Sequence, residues 1–68
     1  MCKIKLKING NVLEMEENST IQNLLDSRKI IGTMFVVERN LEIVPKDQYH
    51  QIIKDNDNYE IVGFFGGG

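Results

Sequence analysis

The sequence predicts an α+β roll, a mixed sheet with one main helix packed on one face. Three observations predict it. Lysine alternates with isoleucine or leucine from Lys3 to Ile8, and a second alternating stretch follows Asn9-Gly10. Ile21, Leu24 and Leu25 then fall on one stripe at helical spacing. Beyond Gly32 only short apolar runs remain, each bounded by turn residues. The order is ββαββ with a last strand leading to the end of the sequence, and a helix can cover only one face of such a sheet.

Each element has a local cause. Lys3, Lys5 and Lys7 oppose Ile4, Leu6 and Ile8, which is the period of a strand with one wet and one buried face. Asn9-Gly10 is a hairpin signal, because both central positions of the turn need φ > 0. Leu13 and Met15 alternate with Glu14 and Glu16, so residues 3–9 and 11–17 read as a β-hairpin. Ser19-x-x-Gln22 has the form of a capping box. The helix is expected from Thr20 to Arg28, with Arg28 and Lys29 suited to its C-terminal end. Met34 to Val37 is a continuous apolar run and predicts a strand buried on both sides. Asn40 allows a turn, and Glu42 to Val44 begins a short strand that Pro45 stops. Lys46 to Ile53 holds room for a single helical turn. Asp55-Asn56-Asp57 is a turn cluster, and Tyr59 to Val62 is the last strand. Residues 63–68, Gly-Phe-Phe-Gly-Gly-Gly, read as a flexible tail on a single domain spanning 1–68.

Totals exclude several function classes. A chain of 68 residues has a thin core and little to spare for a closed substrate pocket. The formal net charge of -2 argues against nucleic acid, whose binding rests on neutralised phosphates. No apolar run approaches the length that spans a bilayer, so no membrane partner is expected. Met1-Cys2-Lys3 leads straight into the alternating pattern, with no apolar signal segment. One cysteine makes no internal disulfide, and the cytoplasm is the expected compartment.

The chemistry-bearing side chains favour plain roles. Cys2 shares the parity of Ile4, Leu6 and Ile8, and is expected at the core edge as a small hydrophobe. A relay thiol is the sharper reading, but only Lys3 lies near in sequence to lower its pKa. His50 is the single histidine and has neither a nucleophile to activate nor a set of metal ligands. Glu14, Glu16 and Glu17 fall on a strand and its exit, and Asp55 and Asp57 bracket a turn. Solvated surface or turn chemistry is the expectation for each, with no metal site and no catalytic residue.

The tail is different. Three consecutive glycines end the sequence directly after a strand. Ordering a residue costs roughly 1–2 kcal/mol, and glycine has no side chain with which to recover it. Simple terminal disorder is the bland reading. The sharper one is that Gly66 and Gly67 thread a partner's narrow channel, because no Cβ obstructs close approach. Gly68 would then present its carboxylate to an active site. Adenylation with ATP supplies a leaving group, and a sulfur nucleophile displaces AMP to leave a thiocarboxylate. Adjacent strand residues point to opposite faces, so Phe64 and Phe65 cannot both enter one core, and one of them is a candidate partner contact.

The whole chain resembles the ThiS family, the sulfur carriers of thiazole biosynthesis in the thiamin pathway. The resemblance lies in the opening strand ending Asn9-Gly10, Ser19-Thr20-Ile21 with Leu24-Leu25, and Glu42-Ile43-Val44-Pro45-Lys46 with Gln48 and Tyr49. Asp55-x-Asp57, Tyr59-Glu60-Ile61 and the terminal Gly67-Gly68 complete it. It implies a β-grasp, ubiquitin-like fold and a carrier that is a co-substrate of enzymes and not itself one. It implies adenylation of Gly68 by a ThiF-type activating enzyme, a sulfur donor such as a cysteine desulfurase, and delivery to ThiG, the thiazole synthase. ATP, and often zinc, would belong to the activating enzyme, so no cofactor is expected on this chain, which would be a monomer when free. The chain departs from the family at Asn56 and at Asn40-Leu41, where glycine is frequent, and at Phe64 and Phe65, where less bulky residues are usual. The alternatives are a carrier for molybdopterin synthase or for tRNA thiolation, or a β-grasp interaction module with an inert tail.

Overall fold

A computed structural model describes residues 2–63. The chain runs β1 (Lys3–Ile8), β2 (Asn11–Glu16), α1 (Ile21–Ser27), β3 (Phe35–Arg39), β4 (Glu42–Val44), a 3₁₀ turn (Lys46–Gln48) and β5 (Asn58–Gly63). The five strands form one sheet in the order β2-β1-β5-β3-β4. β1 and β5 are parallel, and the β1–β2, β3–β4 and β3–β5 pairs are antiparallel, so the sheet is mixed as expected. None of the helices among the described residues is long and apolar enough to cross a membrane.

The first hairpin forms for the reason its sequence gives. Asn9 and Gly10 have φ of 49° and 85°, the two positive values that a type I′ turn requires. Lys5 stands opposite Glu14 and Leu6 opposite Leu13. Asn9 also holds β5 in place. Its N–H donates to the Tyr59 carbonyl at 2.9 Å, and its Oδ1 accepts the Ile61 N–H at 2.9 Å.

The cap of α1 sits one residue later than Ser19-x-x-Gln22. Thr20 is the N-cap: its Oγ1 accepts from the Asn23 N–H, and Asn23 Oδ1 accepts from the Thr20 N–H. Ser19 is spent elsewhere, its hydroxyl donating to the Glu16 carbonyl and its own carbonyl accepting from Ile53 N–H. Thr20 lies in extended backbone and bridges to Ile52, which is the conformation a cap needs. Arg28 closes the helix as its C-cap.

Ile21, Leu24 and Leu25 pack onto Ile4, Leu6, Ile8, Val37, Val44, Tyr59 and Ile61, with Ile30 and Ile53 completing the core. Because α1 covers one face only, the strand at Met34 to Val37 is not buried on both sides. Val37 is buried and Phe35 half-buried, but Met34 is 68% exposed and Val36 is 42% exposed. Cys2 is likewise not at the core edge. It precedes β1, its carbonyl accepts from Glu17 N–H, and its side chain is exposed.

Asn40 and Leu41 have φ of 51° and 73°, so the β3–β4 hairpin makes a two-residue I′ turn without glycine. Asn56 has φ of 71°, a left-handed position that asparagine tolerates.

Candidate functional site

The residues singled out for chemistry or partner contact, Phe64, Phe65, Gly66, Gly67 and Gly68, lie outside the described residues. The structure describes the strand that delivers them. β5 is the middle strand of the sheet, pairing with β1 on one side and with β3 on the other. Its final residue is Gly63, paired with Phe35. The strand therefore runs one residue past Val62, and Gly63 belongs to the sheet and not to the tail.

Glycine is required there. Its φ is 131°, outside the range L-residues adopt readily. A Cβ at this position would run into the Met34 carbonyl oxygen and lie 2.8 Å from Phe35 Cα. Only hydrogen lets β5 close against the start of β3, and that closure sets where the chain leaves the sheet.

The other end of β5 is anchored by Asp57, expected as a solvated turn residue but only 8% exposed. Asp57 Oδ2 accepts from the Tyr59 hydroxyl at 2.8 Å and from Lys54 N–H at 3.0 Å, and Oδ1 accepts from Asn40 Nδ2 at 3.2 Å. Asn40 Oδ1 in turn accepts from Asn58 N–H at 2.9 Å, tying the β3–β4 turn to β5. A buried carboxylate holding three donors is a structural hub. Burial, followed by the Asp57 hydrogen bond, pushes the Tyr59 phenol well above its ordinary value. Burial also raises Tyr49. Asp55 Oδ1 accepts from Lys5 N–H at 2.8 Å, so it too serves the turn, as expected.

Sequence reasoning missed Gly63 and the burial of Asp57. For Asp57 a signal existed: it shares parity with Tyr59 and Ile61, both buried. For Gly63 the following residues drew the boundary one position too early. His50 and Glu14, Glu16 and Glu17 are exposed. Among the described residues there is no group of three or more His, Cys, Asp or Glu that could hold a metal ion. What the described residues build is a strand end held by close backbone contact between Gly63 and the Met34–Phe35 backbone.

The ThiS family model matches residues 6–68. The chain belongs to the ThiS family. The sulfur carrier protein ThiS of Bacillus subtilis is 42% identical over 65 residues, which cover 93% of this chain and 98% of that protein. A thiazole synthase of Paramagnetospirillum magneticum is 44% identical over 66 residues, 96% of this chain. The ThiS-family chain spans about a fifth of that synthase's length, since the match covers 20% of it. In fold it resembles the crystal structure of the thiamine biosynthesis protein ThiS from Geobacter metallireducens. That likeness has a TM-score of 0.76 at 28% identity, covering 96% of this chain and 100% of that one. The mixed sheet with one helix on its face is thus the ThiS-family β-grasp fold, as the resemblance implied. The family match also takes in all five residues that β5 delivers.

Proposed function

We propose that this ThiS-family chain is a sulfur carrier of thiamin biosynthesis, acting as a co-substrate and not as an enzyme, with Gly68 as the group that is loaded. The carboxylate of Gly68 is adenylated by a ThiF-type enzyme using ATP. A sulfur donor such as a cysteine desulfurase then supplies the sulfur that displaces AMP, leaving a terminal thiocarboxylate. Gly66 and Gly67 let the chain end enter the partner's active site, and Phe64 and Phe65 flank that entry. The receiver is a thiazole synthase, ThiG. The observation that carries this reading is the family match through residue 68, together with the 42% identity to a sulfur carrier over nearly all of both chains. The similarity of two thiazole synthases to 96% of this chain supports the receiver.

The test is mass spectrometry of the C-terminal peptide after incubation with ATP, a ThiF-type enzyme and a sulfur source. Intact mass misleads, because a sulfur-for-oxygen exchange resembles methionine oxidation and the chain has three Met. Cleavage after Lys54 releases Asp55 to Gly68, which contains neither Met nor Cys. A sulfur-for-oxygen shift confined to Gly68 is the expected result. An unchanged peptide, with an enzyme that loads its own carrier in parallel, refutes the reading.

A further inference from the structure

The Asn9-Gly10 turn joins a reactive pair of groups to a structural tie. Asn9 is the one asparagine in the sequence followed by glycine, and every other asparagine precedes a residue whose Cβ crowds the next amide nitrogen. At Gly10 there is no such crowding, and the place where a Cβ would stand has no atom within 4 Å. Both residues are exposed, so water reaches them. The Gly10 nitrogen needs only to close a small ring to reach the side-chain amide carbon of Asn9. Asn9 is also where β5 is fastened. β1 pairs with β5 only through Lys7 with Asn58 and Ile8 with Tyr59. Asn9 carries that junction onward, its N–H donating to the Tyr59 carbonyl and its Oδ1 accepting from Ile61 N–H, each at 2.9 Å.

We propose that Asn9 is a site of spontaneous deamidation, and that its isoaspartate product unfastens β5 from the first hairpin. The Gly10 nitrogen attacks Asn9 Cγ and forms a C–N bond. The Cγ–Nδ2 bond breaks, and ammonia leaves with the proton that the Gly10 nitrogen gives up. Water then opens the cyclic imide at one of its two carbonyls. Opening at Cγ gives aspartate and restores the main chain. Opening at the main-chain carbonyl gives isoaspartate, whose main chain runs through Cβ and Cγ and is longer by a carbon. The two products differ in what they do to the sheet. Aspartate keeps an oxygen where Oδ1 stood, and an ionised acceptor holds an N–H at least as well. Isoaspartate lengthens a tight hairpin turn whose length fixes the strand register, so the turn and the bond to Ile61 cannot both be kept. The fold sets the pace. Ring closure swings the Asn9 side chain off Ile61 and back onto its own main chain, and rotates that main chain out of the turn. The turn must therefore open before the reaction runs. The inference goes beyond the sulfur-carrier reading and does not depend on it, since every readout below is of the chain alone.

The test ages the full chain at mildly alkaline pH beside a synthetic peptide of residues 3–16, in which no β5 holds the turn. Cleavage after Lys7 and Arg28 releases Ile8 to Arg28, and fragmentation in the mass spectrometer places each amide-to-acid exchange on its residue. Labelling with an isoaspartate-specific methyltransferase separates the two products. Asn9 is expected to convert before any other asparagine of the folded chain. It should convert about tenfold more slowly there than in the peptide, the factor set by opening two hydrogen bonds. The isoaspartate fraction, isolated by chromatography, should melt below wild type and lose amide-exchange protection at Ile61. Asn9→Asp, which has the charge without the extra carbon, should keep that protection. Another asparagine converting first in the folded chain overturns the proposal. So does equal conversion in chain and peptide, which would show that β5 does not hold the turn. Wild-type protection of Ile61 in the isoaspartate form overturns it as well. Loss of that protection in Asn9→Asp does the same, by making charge and not the lengthened turn the cause.

Discussion

Replacing Gly63 by alanine tests the claim that only a bare backbone lets the end of β5 close against β3. The magnitude follows from two contributions. An L-residue held at a φ of 131° carries strain of about 1–3 kcal/mol. The added Cβ also meets the Met34 carbonyl oxygen, with Phe35 Cα at 2.8 Å and the Met34 carbonyl carbon at 3.2 Å. All three are backbone atoms of the neighbouring strand region, so no side chain can swing aside, and β5 must part from β3. Gly10→Ala is the matched control: its φ is 85°, and a Cβ there meets nothing within 4 Å. It should cost only the left-handed strain, about 1–2 kcal/mol. Gly63→Ala should exceed it by about 1–2 kcal/mol, which in a domain this small lowers Tm by roughly a further 4–16 °C. If the strand end opens locally instead, the loss appears as faster amide exchange at the β3–β5 end, with a smaller change in Tm. Thermal unfolding and hydrogen exchange on both variants decide the matter. A Gly63→Ala protein that melts no lower than Gly10→Ala and keeps its amide protection there would refute the close-approach argument.

Two further outcomes follow from the backbone and from burial. Leu41→Gly should raise stability by about 0.5–1 kcal/mol, because Leu41 sits at φ 73° and is 82% exposed, so strain is removed with little packing lost. A lower Tm would show that the β3–β4 turn does not strain its leucine. Tyr59 supplies a pH dependence whose sign is fixed. Its folded pKa is raised, so its contribution is intact below the unfolded tyrosine value of about 10 and is lost as pH rises toward the folded value. Denaturant titrations should therefore lose stability above about pH 10, with a limiting slope of about 1.4 kcal/mol per pH unit from this group. Tyr59→Phe should be less stable at neutral pH, because Asp57 loses a donor, and should show a shallower alkaline slope. An equal slope in both proteins would remove Tyr59 as the cause.

The elements were legible because their signals are local. Lysine alternation placed β1, Asn9-Gly10 placed the hairpin turn, and the Ile21, Leu24, Leu25 stripe placed the buried face of α1. The misreadings share a different cause: each depended on what lies across the fold. Ser19 and Thr20 are both competent caps, and the choice was made by Ser19 giving its hydroxyl to Glu16 and its carbonyl to Ile53. Met34 to Val37 reads as a doubly buried strand from its unbroken apolar composition, yet a helix on a single face leaves Met34 and Val36 exposed. Asp57 reads as a turn residue until Asn40, seventeen positions away, and Tyr59 close over it. Gly63 looks like tail because its partner, Phe35, is distant in sequence.

β5 also separates the two demands on this chain. Its start, at Asn58, is bound into the Asp57–Asn40–Tyr59 network, and its end, at Gly63, is held by backbone pairing with Phe35. Five strand steps lie between them, about 17 Å. Side-chain hydrogen bonds that fix the fold are concentrated at the first end. The second end closes through backbone, where Gly63 stands opposite Phe35 with no Cβ between them. Changes at Asp57 or Asn40 should then move Tm and leave the kinetics of the folded fraction alone. A change at Gly63 should move Tm as well, and should add faster amide exchange at the β3–β5 end.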